Sequence, residues 1–343
     1  MRKSAGVAVL LLALLAVRAK VILAQGQAPD PVSWAYGFVV PGPDPVAPPC
    51  SPDTKPHDCS KPGRPWPDDG TLLHLPGSDQ SFTISQVQSF WAPADWFPGE
   101  HPPAPDIVKY GHEKDHLRAC GHCHYFNGLG KPENGHLAGL PVNYFLQQMA
   151  LFKSGGRKSA DPRKANANEM AQIARFLSDE ETKAAAEYYS SLQWRPWTKV
   201  VESATAPKTR QSPAGMFLPL DGGQSEPLGE RIIEVPQDSD RTERLRDPHS
   251  GFLAYVPIGS VAKGNAIVNT GASGKTVRCA TCHGADLRGM GDVPAIAGRT
   301  TSYLMRQLYN YKMDARQSTV MKPVVEKLST TDMISIVAYL GSL

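Results

Sequence analysis

Four of the six cysteines in this 343-residue chain fall into two copies of one short pattern, Cys120-Gly-His-Cys123-His124 and Cys279-Ala-Thr-Cys282-His283. Two thiols three positions apart, followed at once by an imidazole, suit one reaction well. The thiols can add to the two vinyl groups on one edge of a porphyrin, and the histidine then presents a ring nitrogen to the iron. The spacing therefore predicts two covalently attached haem c groups, with His124 and His283 as proximal iron ligands. A CxxC pair alone would also fit a zinc site or a dithiol redox pair. These cysteines cannot make two four-thiolate zinc sites, and neither motif sits in a βαβ pattern. Cys50 and Cys59 remain. In an exported protein a disulfide between them, closing a Pro-rich loop, is the simplest expectation; ligation of an iron by one of their thiolates is the alternative.

The elements that must position these groups repeat. The motifs are 159 residues apart, and the offset continues: Ala138-Gly139 matches Ala297-Gly298, Tyr144 matches Tyr303, Gln148 matches Gln307, Lys153 matches Lys312 and Arg157 matches Arg316. After a loop that is eight residues shorter in the second copy, Met170 matches Met321, Leu177-Ser178 matches Leu328-Ser329 and Leu192 matches Leu343. A fixed order of ligands, turns and helices at a constant offset marks duplication of one folding unit. Each unit reads as helical. Tyr144, Phe145, Met149 and Phe152 make one apolar face that Gly155-Gly156 should end. Ser178-Asp-Glu-Glu181 is a capping box for a helix reaching about Leu192, and Ser329-Thr-Thr-Asp332 starts its counterpart. Short helices are expected before the motifs, around 105–110 and 261–269.

An iron in an electron carrier needs a second strong ligand. Met170 and Met321 keep step in the repeat, each seven residues before a Leu-Ser helix start. Thioether ligation would raise the potential and close the iron to substrates. Met149, Met290, Met305, Met313 and Met333 have no counterpart and are expected to pack. The other histidines (His57, His74, His101, His112, His116, His122, His136 and His249) are expected at the surface or in packing. His112 and His116 are the pair that could line the first haem edge, or ligate that iron if Met170 does not.

Residues 1–24 read as a secretory signal peptide: Arg2 and Lys3, an apolar stretch Ala5–Val17 too short to span a bilayer well, and cleavage after Ala19 or Ala24. Removing Arg2, Lys3, Arg18 and Lys20 leaves 32 Lys and Arg against 33 Asp and Glu, a balance with no footprint for nucleic acid. No later segment is apolar and long enough to cross a membrane. Residues 25–105 hold 18 of the 31 prolines and read as an irregular extension whose Trp66, Phe90, Trp91, Trp96 and Phe97 pack against the rest of the chain. Between the units, residues 194–255 form an insertion with two strand-like runs, 231–235 and 251–256, expected as a small β-hairpin.

Residues 106–193 and 256–343 resemble class I cytochromes c, in the tandem dihaem arrangement of cytochrome c4. The resemblance rests on Cys279-Ala-Thr-Cys-His-Gly-Ala-Asp, Pro294-Ala-Ile-Ala-Gly298, Tyr303-Leu-Met-Arg-Gln307 and Met321…Leu328-Ser329, and on their first-copy equivalents Leu137-Ala-Gly139, Tyr144–Lys153 and Met170…Leu177-Ser178. It implies a mainly α fold of two cytochrome c-like domains. It also implies a hydrogen bond from the His283 ring to the Pro294 carbonyl. The first copy departs from the pattern, with Gly135 at the equivalent position.

The expected role is a periplasmic electron carrier without a catalytic residue. It would exchange single electrons with redox proteins: a dehydrogenase, an oxidase or another cytochrome. Peripheral attachment to a membrane is compatible with that role. Two other roles fit the same motifs. One is a haem subunit held inside a larger dehydrogenase or respiratory complex. The other is a dihaem enzyme such as a peroxidase or a thiosulfate-oxidising cytochrome, which would need an open or Cys-ligated iron.

Overall fold

The computed structural model describes residues 32–38, 66, 68–212 and 214–343. The signal-peptide expectation for residues 1–24 and the Cys50–Cys59 disulfide lie outside these residues.

Each repeat folds as a small helical unit. In the first, Asp106–Lys109 leads into Cys120–His124, followed by Val142–Ser154, Ala165–Phe176 and Asp179–Ser191. In the second the series is Ser260–Thr270, Ala280–His283, Thr301–Lys312, Met321–Val325 and Thr330–Gly341. The punctuation follows local chemistry. Val142–Ser154 stops at Gly155, which adopts a left-handed conformation. The last helix of each unit opens with a complete capping box, Ser178 with Glu181 and Ser329 with Asp332. Phe145, Met149 and Phe152 turn inward to join Ile107, Val108, Ile173, Ala185 and Tyr189 in the first core. Ile267, Leu304, Met305, Leu328, Ile334 and Val337 fill the second. There Gly264 lets the Ser260–Thr270 helix cross the C-terminal helix at contact. A Cβ at that position would lie 1.9 Å from the Ser335 carbonyl oxygen.

The insertion is more than a hairpin. Ile233–Pro236 pairs antiparallel with Phe252–Val256, as the two apolar runs suggest. Thr198–Glu202 adds a third strand on the other side of Phe252–Val256, in parallel. Two small two-stranded ladders occupy the crossover. Phe252, Ala254 and Val256 alternate inward along their strand. The sheet is tied to the second unit by Glu234. This buried carboxylate accepts hydrogen bonds from Thr198 Oγ1 (3.1 Å), Thr301 Oγ1 (3.3 Å), Ser302 N (2.9 Å) and Ser302 Oγ. It thereby caps the start of the Thr301–Lys312 helix.

Burial outweighs these hydrogen bonds and raises the Glu234 pKa above its ordinary value. A raised carboxylate favours the protonated folded state. Its contribution is therefore present at low pH and fades as pH rises through the ordinary glutamate range toward the folded-state value. Glu234→Gln keeps the size and part of the hydrogen bonding without the charge. Denaturant unfolding at pH 5 and pH 8 should show a smaller loss of stability with rising pH for this variant than for the parent.

The N-terminal residues pack onto the chain itself, as expected from their aromatic content. Ser33–Tyr36 is buried in the second core, where Tyr36 donates to Asn310 Oδ1 (2.7 Å) and Arg306 donates to the Ala35 carbonyl (2.8 Å). Leu75, Ile84, Val87 and Trp96 form a separate cluster, joined by Trp66, Phe97 and Leu245.

Candidate functional site: two linked haem-attachment centres

Each attachment motif occupies a short helix, which brings the two thiols and the imidazole to one side. Both histidines are held alike. The His124 ring donates from Nδ1 to the Gly135 carbonyl, and the His283 ring donates from Nδ1 to the Pro294 carbonyl, each over 2.8 Å. The resemblance-based expectation for His283 is met. Gly135 does for His124 what Pro294 does for His283, so the bond depends on a backbone carbonyl eleven residues on and not on proline. Fixing Nδ1 as the donor leaves Nε2 as the ring nitrogen able to bind a metal. Burial pushes the His124 pKa down to about 4 and also lowers that of His283, which favours the neutral ring in both. Burial likewise pushes the Cys120 thiol up to about 12 and the Cys279 thiol up to about 11. These are not the activated thiolates of a dithiol redox centre.

A single cavity of about 1050 Å³ reaches both motifs. Ordinary small-molecule sites run to roughly 1,000 Å³, so this one is at the large end of that range. Its wall includes Cys120, Cys123, His124 and Met170 at one end and Cys279, Cys282, His283 and Met321 at the other. The two methionines start from different backbone settings, Met170 within Ala165–Phe176 and Met321 at the first residue of Met321–Val325. Both nonetheless line the cavity. His112 does not: it pairs with Glu181 at 2.5 Å. Among the described residues no cluster of three or more His, Cys, Asp or Glu side chains forms a metal site.

The cavity wall is rich in buried cations. Buried Lys164, Arg299, Arg306 and Arg316 and half-buried Arg157 all line it, and none has an ion pair with a carboxylate among the described residues. Arg299 and Arg306 donate to backbone carbonyls. The Lys164 Nζ and the Arg316 Nε are buried without a hydrogen-bond partner, and burial pulls the Lys164 pKa down to about 7. An unpaired buried cation is costly, so this wall is suited to a group that brings its own anions. Two haem c groups bring four propionate carboxylates, and the residues present fit them.

At the centre the repeat closes on itself. Arg316 donates to Tyr144 Oη (2.5 Å), Gln148 Oε1 (2.7 Å) and Gln307 Oε1 (2.8 Å). Arg157 donates to Tyr303 Oη (3.3 Å), Gln148 Oε1 (3.2 Å) and Gln307 Oε1 (3.4 Å). The backbones of Arg157 and Arg316 form an antiparallel bridge. Every member of this cluster is one half of a pair matched in the repeat, so the units face each other about an approximate two-fold axis. His136 lies close by, fully buried. It bonds to the Leu129 carbonyl and to Thr300 Oγ1 (2.6 Å), and its pKa is pushed down to about 3 by burial and by Arg299. It is the packing residue that was expected, though one that joins the two units.

A family model described as cytochrome c matches residues 114–193 and 261–343. The cytochrome c-552 of Acidithiobacillus ferridurans is 33% identical over 82 residues, covering 24% of this chain and 36% of that protein. The chain thus spans about a third of that relative's length. A thiosulfate dehydrogenase electron acceptor of Thiomonas intermedia (strain K12) is 26% identical over 232 residues, covering 66% of this chain and 72% of its own. Among solved structures, the cytochrome c4 of Acidithiobacillus ferrooxidans overlaps with a TM-score of 0.43 at 20% identity, covering 65% of this chain and 98% of that one.

Proposed function

We propose that this chain, with its two cytochrome c domains and two covalent haem c groups, is a periplasmic electron carrier that accepts single electrons from a dehydrogenase and passes them to another redox protein. In this reading Cys120/Cys123 and Cys279/Cys282 hold the porphyrins, and His124 with Met170 and His283 with Met321 ligate the irons. The division is a signal peptide (1–24), an extension (25–105), domain 1 (106–193), an insertion (194–255) and domain 2 (256–343). A haem capped on both faces supplies reversible one-electron exchange. The protein's share is to fix the two imidazoles by their carbonyl bonds, to set the propionates among Arg157, Lys164, Arg299, Arg306 and Arg316, and to exclude water from the shared cavity.

The observation that carries the reading is the shared cavity, with a histidine and a methionine at each end. The names of relatives support the direction of flow, since the Thiomonas protein is an electron acceptor of a dehydrogenase. Permanent residence in a larger dehydrogenase complex uses the same chemistry and would show as co-purification. Denatured pyridine-haemochrome assay of the purified protein should give two haems per chain that resist extraction into acidified solvent. One haem or none per chain, or an extractable pigment, would remove the reading. A high-spin or Cys-ligated spectrum would favour a catalytic role instead.

A further inference from the structure

The two attachment centres have the same local fold and opposite exposure. At matched positions, Arg118 is 6% exposed and Val277 is 50% exposed, while Glu169 is 6% exposed and Val320 is 63% exposed. His122 is buried in the first motif, and its counterpart Thr281 is exposed. The cause is a roof over the first centre made by the chain's own added segments. The Ala119 amide donates to the Phe90 carbonyl (3.0 Å), and the His122 ring donates to the Ser89 carbonyl (2.8 Å). Arg118 pairs with Glu169 at 2.9 Å and lies against the Phe90 ring, 4.1 Å from its centroid. From the insertion, Arg246 donates to the His122 carbonyl, and Glu243 pairs with Lys131 at 2.8 Å. The two parts of the roof are bonded to each other through Gln88, which donates to the Glu243 and Arg244 carbonyls, and Trp96, which donates to the Leu245 carbonyl.

Nothing comparable covers the second centre among the described residues. There the cavity wall comes to the surface at Val277, Arg278 and Val320, beside half-buried Cys279 and Cys282. Nearby lysines are paired within the chain, Lys263 and Lys275 sharing Asp332 and Lys322 with Asp314. The rim thus carries two bare valines and one arginine, with exposed Asp292, Gln317 and Thr319 further round it.

Resting on the two-haem reading above, the structure assigns exchange with outside redox partners to the second haem edge, with the first haem emptied and filled through the second. Electron tunnelling weakens steeply with distance. The roof puts a layer of protein between the first centre and any docked partner, while the units are in direct contact across the Arg157–Arg316 cluster. The partner that fits the open rim is a redox protein whose cofactor edge is itself ringed by apolar side chains, because a small apolar contact around a desolvated centre is what such a rim can make.

The test is stopped-flow oxidation of the fully reduced holoprotein by ferricyanide, which takes one electron per molecule to become ferrocyanide. Added charge near the point of exchange changes the encounter rate with this trianion at low ionic strength. Val277→Lys should speed oxidation about threefold or more, and Arg278→Glu should slow it by a similar factor. In both variants the two halves of the absorbance change should shift together. Asp240→Lys, an exposed site on the short Asp240–Arg244 helix that brings Glu243 to the roof, should leave both halves unchanged. If Asp240→Lys speeds one half while Val277→Lys speeds only the other, each haem has its own port and the inference is wrong. Haem content is measured on the same samples. A count below two per chain would sink the earlier reading, whereas two haems with independent ports would sink this one alone.

Discussion

Met321→Ala is expected to remove about half of the methionine-to-iron charge-transfer absorption of the oxidised protein, and Met170→Ala the other half. The argument is geometric. Nδ1 of each histidine is committed to a carbonyl, so each iron would be held through Nε2 on one side and would face the cavity on the other. In each unit the methionine kept in register by the duplication lines that cavity. Loss of the thioether should lower the potential of the affected haem and open its iron to small ligands such as imidazole or cyanide. Redox titration of each single variant should show one haem displaced downward and the other nearly unmoved. If both variants keep the full band, the sixth ligands are other residues and the proposed coordination is wrong.

Arg316→Met should cost about 3 kcal/mol of unfolding free energy, because it removes three charge-assisted hydrogen bonds from one buried guanidinium at once. Arg316 is fully enclosed and donates to one tyrosine hydroxyl and two glutamine carbonyls. Methionine fills much of the volume but donates nothing, so buried Gln148 and half-buried Tyr144 and Gln307 each lose a charged donor, and the glutamines keep only the longer bonds from Arg157. Arg157 makes the mirror-related contacts at longer distances, 3.2 to 3.4 Å against 2.5 to 2.8 Å, so Arg157→Met should cost less. Guanidinium unfolding followed at the Soret band, with haem content held equal, measures both. Equal and small losses would mean that haem carboxylates, rather than this cluster, hold the units together.

The parts of this molecule legible in its sequence are those encoded over short distances. Cys-x-x-Cys-His, the capping boxes at Ser178 and Ser329 and the stop at Gly155 each depend on a few neighbouring residues, and each appears where the pattern puts it. Duplication made Tyr144, Gln148 and Arg157 visible as equivalents of Tyr303, Gln307 and Arg316. A constant offset states which residues correspond, however, and says nothing of whether they touch, so the central cluster was not foreseeable. The roof was hidden for a similar reason. Trp96 is recognisable as a residue that must pack, but its partner Leu245 lies 149 positions away in the insertion, and nothing in the sequence marks Gln88, whose partner Arg244 is 156 positions away. Thr198–Glu202 escaped notice because its neighbour in the sheet is parallel and reached by a long crossover, which leaves no turn signal to read. Counting places Gly135 as far from His124 as Pro294 is from His283, but the sequence does not say that a carbonyl bond survives the loss of the proline.

The central cluster also bears on how such a chain can change over generations. Each glutamine serves both arginines, and each arginine reaches into the opposite half. A replacement in one copy therefore alters the surroundings of the other, and the halves are not free to diverge at these six positions. Heating should melt them in one event rather than two, so that neither copy outlives its twin.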